Sequence, residues 1–180
     1  MLKRSMPDLH PFIRNTVGSM DFGGSTLNKY YNARNDSTTR TSRRITSDVF
    51  ALATAVLFQS PVQHFALTPN NLTDAPEWAI NFMKEVPSTW DEVRFFGWIF
   101  RAKYIILARR HQNKWYIAGI NASSEEIKVK LHLPMISAGE TISVYTDNAR
   151  LVGKTSTEKL NKHQQLQVSI PCNGGIVIAN

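Results

Sequence analysis

The sequence predicts an α/β segment followed by an all-β segment: βα units of a parallel architecture, then an antiparallel β-sandwich. Three observations point there. Two apolar stretches of helical period, Arg43–Gln59 and Pro76–Glu85, are separated by a short strand-like run, Val62–Ala66. After residue 93 the period becomes two, with Ile127, Val129, Leu131 and Leu133 alternating with Lys128, Lys130 and His132. Turn-forming residues then recur at short intervals to the C-terminus. The change in period places a boundary near Glu92–Phe96, giving segments 1–93 and 94–180.

In the first segment, residues 1–42 read as loop, with Gly18, Gly23, Gly24 and a polar tract from Asn32 to Ser42. Within it, Thr16–Met20 is apolar enough for a short buried strand ending at Asp21. The helix over 43–59 has Ser42, Thr46 or Ser47 as its cap and Asp48 near its positive end. Ile45, Val49, Leu52, Ala53, Val56 and Leu57 share one face, while Phe50, Ala51, Ala55 and Phe58 lie on others. Such a helix has to be covered on several sides. Ser60-Pro61 ends it, and Thr68–Asn71 forms a turn-rich loop. Pro76 opens the second helix, whose apolar face is Trp78, Ala79, Phe82, Met83 and Val86.

In the second segment, Lys103–Arg110 and Lys114–Ile120 flank the polar turn His111-Gln112-Asn113 and predict a hairpin. Thr141–Thr146, Gln165–Ile170 and Ile176–Ala179 complete a set of six or seven short strands with Ile127–Leu133.

Composition removes several function classes. The longest apolar run, Val49–Phe58, is far short of the roughly 20 residues needed to cross a bilayer, so a soluble chain without a membrane partner is expected. The basic start, Met1–Pro7, lacks the apolar stretch of a secretory signal. One cysteine, Cys172, allows neither an intrachain disulfide nor a multi-cysteine metal site. Residues 1–95 hold ten Lys/Arg against nine Asp/Glu, and residues 96–180 hold eleven against five. Those cations are spread singly along strands, which favours a solvated sheet face over a nucleic-acid partner.

The candidate chemistry is sparse. Asp21, at the carboxyl end of the expected strand, stands where parallel α/β folds bind ligands, and is the one candidate substrate-binding residue; capping of its own turn is the competing reading. Phe22-Gly23-Gly24-Ser25 lacks the rest of a phosphate-loop pattern. Asp91 and Glu92 are adjacent and point in different directions, whereas a glycosidase pair faces one bond across about 5–9.5 Å; a structural role is favoured, with Trp90 packing at the seam between segments. His10, His64, His111, His132 and His163 show no zinc spacing, and His64 reads as a core histidine. Trp98, Phe100, Tyr104, Trp115 and Tyr116 suit a stacking platform in principle and a sandwich core more readily. The residues alone assemble no catalytic set and no metal site.

Three stretches resemble glycoside hydrolase family 97, bacterial α-glucosidases and α-galactosidases: His10–Phe22, Val86–Arg94, and Tyr104–Arg110 continuing through Lys114–Asn121. Their order and spacing run through nearly the whole chain. The resemblance implies that residues 1–93 are the last two βα units of a catalytic (β/α)8 TIM barrel. It also implies that residues 94–180 are the family's C-terminal β-sandwich, an oligomerisation domain, which makes a homo-oligomer a possible partner state. Asp21 matches the family's Met-Asp position, but Gly23-Gly24 stands where members usually carry Thr-Pro. The family's catalytic carboxylates lie upstream of the Pro-Phe-x-Arg stretch, so no catalytic residue and no metal ligand is carried over to this chain.

The resemblance further implies an oligosaccharide or α-glycoside substrate for the complete enzyme, with calcium as cofactor if it is of the inverting type and none in this chain. A periplasmic or secreted location is implied as well. The chain is therefore expected to be the C-terminal fragment of an α-glycosidase, inactive alone, with a β-half that folds by itself and a barrel piece that does not.

Overall fold

The computed structural model describes residues 10–24, 27, 30–31, 42–67, 69, 71–98 and 104–180. Its elements in chain order are α1 (Arg14–Val17), β1 (Phe22–Gly24), β2 (Tyr30–Tyr31), β3 (Ser42–Arg43), α2 (Asp48–Leu57), β4 (Gln63–Phe65), α3 (Asn71–Asp74) and α4 (Glu77–Glu85). There follow β5 (Glu92–Trp98), β6 (Tyr104–His111), β7 (Lys114–Asn121), β8 (Ile127–His132), β9 (Thr141–Asp147), β10 (Gly153–Lys159), β11 (Gln165–Ile170) and β12 (Gly175–Ala179). No helix among the described residues is long and apolar enough to cross a membrane.

Most of the described chain is an antiparallel β-sandwich. Six strands form one sheet in the order β10-β9-β12-β7-β6-β5, and β8 pairs with β11 in a second. The alternation of side chains across a strand divides the interior into two cores. From β6, Ile106 and Ala108 face the β8–β11 pair, together with Trp115, Ile117, Leu131, Val168, Ile176 and Ile178. Ile105 and Leu107 face the other way, with Tyr116, Ala118, Ile120 and Val177, onto α2 and α4. Covered on both faces, β7 is buried from Trp115 through Asn121, which is why its sequence runs apolar without alternation. By contrast β8 is covered on one face only and alternates. The hairpin between β6 and β7 turns on Gln112, at φ 54°, and Asn113.

The helical layer is thus part of the same molecule's core. α2 starts where the Ser47 hydroxyl accepts the Phe50 amide at 2.9 Å, and every residue from Val49 to Leu57 is buried. It lies against β7 and β12 on one side and against α4 and β1 on others, the all-round cover that its apolar faces require. β1 and β4 pair in parallel, Phe22 opposite Gln63 and Gly24 opposite Phe65, with α2 in the crossover between them. α4 presents Ala79 and Phe82 to the core, and the Trp78 ring meets the Tyr145 ring of β9 at 5.8 Å.

Two expectations change. Thr16–Met20 is not a strand: Thr16 hydrogen-bonds back to Ile13 O at 2.7 Å and Asn15 N to His10 O at 3.0 Å, closing a helical turn, and Val17 is 86% exposed. The α2 helix begins at Asp48 rather than Arg43, since Ser42–Arg43 pairs with Tyr30–Tyr31. Most of the polar tract, 32–41, lies outside the described residues. Residues Ile105, Leu107, Tyr116, Ala118, Ile120 and Val177 of the sheet share a core with α2 and α4, and a β-half cut free of those helices would uncover them.

Candidate functional site

Asp21 is exposed and stands immediately before β1, at the strand's amino end. The carboxyl-end placement expected for a ligand-binding aspartate is therefore corrected, because the strand begins after this residue instead of ending at it. Phe22-Gly23-Gly24 is that strand, not a phosphate loop; Ser25 lies outside the described residues. His64 lies on β4 with its side chain exposed, which corrects its reading as a core histidine.

Asp91 and Glu92 are structural. Asp91 Oδ2 accepts the Gln112 amide at 2.6 Å and lies 3.6 Å from Arg110, locking the hairpin turn. Glu92 accepts from Arg94 Nε at 2.7 Å and Arg110 Nε at 3.2 Å. The hydrogen bond from Arg94 is the main reason its carboxyl is held below the usual range. Trp90 packs edge-on against Tyr116 at 5.5 Å, in the seam between the segments. Trp115 and Tyr116 are buried on opposite faces of β7, so they form no common platform; Phe100 lies outside the described residues. Cys172 is half-buried and accepts from its neighbour Asn173 Nδ2 at 3.2 Å.

The groups with the most perturbed environments are two that the sequence reading did not single out, one at each end of α2. At the amino end, Ser47 is buried and its hydroxyl, besides capping the helix, donates to Asp147 Oδ2 at 2.5 Å. The same oxygen accepts the Gly175 amide at 2.8 Å, and the Ser47 amide donates to Asn173 O at 3.0 Å. Asp147 Oδ1 is buried without a hydrogen-bond partner among the described residues. Burial pushes the Asp147 carboxyl up to about 6, against the lowering pull of Ser47, Gly175 and Arg44. Arg44 pairs with Asp48 beside it, and burial lowers the guanidinium despite that pairing.

At the carboxyl end, buried Arg109 donates Nη2 to Leu57 O at 3.1 Å, placing a cation on the negative end of the helix. Its guanidinium lies 5.9 Å from the Trp90 ring centre, and burial lowers it to about 10. Parity along the strands was the available signal: Arg109 continues the inward stripe Ile105, Leu107, and Asp147 continues the stripe of Tyr145. Arg109→Ala is expected to cost about 3 kcal/mol in urea unfolding, since it leaves a void and a bare helix end, whereas Arg109→Met keeps the stem packing and is expected to cost about 1 kcal/mol.

Chemically this arrangement holds a helix to a sheet; it supplies no acid/base pair. Among the described residues no group of three or more His, Cys, Asp or Glu is gathered to hold a metal.

Comparison with known proteins gives the family. Residues 89–179 match the family described as glycosyl hydrolase 97 C-terminal, oligomerisation. A retaining α-galactosidase of Bacteroides thetaiotaomicron is 29% identical over 93% of this chain and 26% of its own length. A probable retaining α-galactosidase of Streptomyces bingchenggensis is 31% identical over 63% of this chain and 16% of its own. The chain thus spans about a quarter or less of these curated relatives. A crystal structure of a β-arabinopyranosidase superposes with a TM-score of 0.88 at 47% identity, covering 98% of this chain and 27% of that one. A family 97 enzyme from a Pseudoalteromonas strain superposes at 0.80 with 21% identity over 98% of this chain and 28% of that one, which shows the shared fold. With residues 89–179 matched to the family and its fold shared with a family 97 enzyme, this chain belongs to glycosyl hydrolase family 97 and resembles the C-terminal part of those glycosidases.

Proposed function

We propose that this chain is the C-terminal part of a glycosidase that acts on glycosides of the α-D-galactopyranose ring configuration. The observation that carries the reading is the 47% identity to a β-arabinopyranosidase along 98% of the chain. β-L-Arabinopyranosides and α-D-galactopyranosides share the same ring stereochemistry and differ by the hydroxymethyl group on C5, so the retaining α-galactosidases among the relatives favour the same substrate class. On this reading residues 1–93 are the last βα units of a (β/α)8 barrel and 94–180 the sandwich behind it. The parallel β1–β4 pair with α2 in its crossover supports that division.

On this reading the two carboxylates that glycoside hydrolysis requires come from the rest of the enzyme, and the contribution of this chain is support: Ser47, Asp147 and Arg109 fix the crossover helix to the sandwich. Calcium is assigned no ligand here. A periplasmic or secreted location belongs to the proposal on the family resemblance alone.

A chimera tests it. Residues 10–180 are exchanged for the corresponding part of the β-arabinopyranosidase, and hydrolysis of p-nitrophenyl β-L-arabinopyranoside and α-D-galactopyranoside is followed. Activity within about tenfold of the parent, a change of at most about 1.4 kcal/mol in transition-state stabilisation, is expected. A folded but inactive chimera would overturn the assignment. The isolated chain is expected to leave both substrates at the blank rate.

A second reading, self-association through the sandwich, is favoured by the family's description as an oligomerisation domain. Light scattering at tens of micromolar decides it, a clean monomer counting against.

A further inference from the structure

We propose that two copies of this chain associate through β10, edge to edge and antiparallel, about a two-fold axis at Ser156, a contact that rests on the self-association reading and gives it a surface. β10 stands at one end of the six-stranded sheet and pairs with β9 in unbroken register, from Gly153 opposite Asp147 to Lys159 opposite Thr141. Its residues from Lys154 to Lys159 are all exposed. Such a strand presents a row of backbone groups ready to pair with another chain. The sheet's other edge, β5, is interrupted by a register shift between Phe95 and Gly97 and offers no regular ladder.

The backbone limits the registers. An antiparallel ladder alternates between residue pairs that exchange hydrogen bonds and pairs that do not. Just beyond the two ends of the β9–β10 ladder, Asn148 N donates to Val152 O at 3.0 Å and Leu160 N to Glu140 O at 3.0 Å. Continuing that alternation, Lys154, Ser156 and Glu158 turn their amides and carbonyls towards β9, and Gly153, Thr155, Thr157 and Lys159 turn theirs outward. A second strand can bond only in registers that set these four opposite one another.

Charge selects among those registers. With Ser156 opposite Ser156, Lys154 stands opposite Glu158 on both sides of the axis, and Thr155 opposite Thr157. The Lys154–Glu158 pairs then fall at non-hydrogen-bonded positions, where side chains approach most closely. Lys159 faces Gly153, so no like charges oppose each other along the strand; Arg150 and Lys162 lie in the turns beyond its ends. A shift of two residues either way sets Ser156 against Lys154 or Glu158, and both ion pairs are lost. Glu158 Oε1 accepts from Ser156 Oγ at 3.2 Å, and neither Glu158 nor Lys154 has an ion pair among the described residues. The polar edge that discourages pairing with strands at large thus admits a copy of itself, and the contact closes at a dimer.

Light scattering and sedimentation of the full chain at tens of micromolar test this, with a dimer expected. Lys154→Glu sets carboxylates opposite each other and should raise the dissociation constant at least about tenfold, as should Glu158→Lys. The double variant Lys154→Glu with Glu158→Lys restores opposite charges and should return to within about threefold of the natural chain. All these positions are exposed, and thermal unfolding checks that each variant folds. Ser156→Cys places thiols on the axis at a Cα spacing of about 4.5 Å, which suits a disulfide, so oxidation should cross-link the copies. Thr155→Cys and Thr157→Cys each face a threonine and should cross-link no more than the natural chain with its Cys172. A dimer that is unmoved by Lys154→Glu, is not recovered in the double variant, or cross-links no better at position 156 than at 155 or 157 overturns the proposal and leaves self-association to another surface. A clean monomer overturns both readings.

Discussion

Gly175→Ala is expected to destabilise the chain by about 3 kcal/mol, the upper end of the usual cost of overpacking. A β-carbon at Gly175 would stand 2.6 Å from the backbone N and Cα of Phe50 and 2.8 Å from the Val49 carbonyl carbon. Those atoms belong to the first turn of α2, so no side chain can swing aside; the helix has to move as a body. Movement there also strains the Gly175 amide's hydrogen bond to Asp147 and, through it, the Ser47 cap. For a chain of this size the midpoint of thermal unfolding should fall by roughly 6–12 °C, measured by calorimetry, with amide exchange in α2 quickening first. Gly23→Ala is the control: nothing lies within 4 Å of its β-carbon, and its effect should stay within about 0.5 kcal/mol. A Gly175→Ala protein as stable as that control would contradict the close approach of α2 to β12.

Stability is also expected to fall by about 3 kcal/mol as pH rises from about 4 to about 6, through Asp147 alone. Its carboxyl titrates near 6 in the folded protein, raised from an ordinary 3.8, chiefly by burial. The folded chain therefore holds a proton that the unfolded chain has already released. The contribution is complete below the unfolded value and is lost as pH passes the folded one. The charged neighbours act in opposite senses: Asp48 raises the value further and Arg44 lowers it. Asp147→Asn keeps an oxygen for the Ser47 hydroxyl and the Gly175 amide while removing the charge. Urea unfolding across pH 4–8 should show the slope vanish in this variant, with stability above pH 6 equal to or greater than that of the natural chain. Glu92 and Glu140 slope the other way, their carboxyls being lowered by hydrogen bonds from Arg94 and Asn180 respectively, so they stabilise above the unfolded value and lose that contribution as pH falls. The difference between the two proteins isolates Asp147.

The strands that alternate were legible. β8 and β11 have one covered face, and β6, β7, β9 and β12 announce themselves by apolar content or a polar turn. β10 was not, because Gly153–Lys159 is an edge strand exposed along nearly its whole length, and a polar edge that discourages further pairing carries no hydrophobic period. β5 was missed for a related reason: Val93, Arg94 and Phe95 are all exposed, and its register shifts between Phe95 and Gly97. Thr16 and Val17, expected in a strand over Thr16–Met20, belong instead to the turn Arg14–Val17; four residues cannot show a helical period, and the hydrogen bonds that close the turn are local.

By itself the sequence determined the period-two strands of the sandwich, the caps and breaks of the two main helices, and the motifs that resemble family 97, since each depends on neighbours along the chain. Only the tertiary structure decided what the helices cover. It joined Ser47 to Asp147 across 100 positions and Arg109 to Leu57 across 52, and it made Gly153 and Gly175 the places where Trp78 and Phe50 come close. It also put Asp21 ahead of its strand rather than behind it. Contacts between distant segments follow from how whole faces are buried against one another, and no local pattern of residues records which face will meet which.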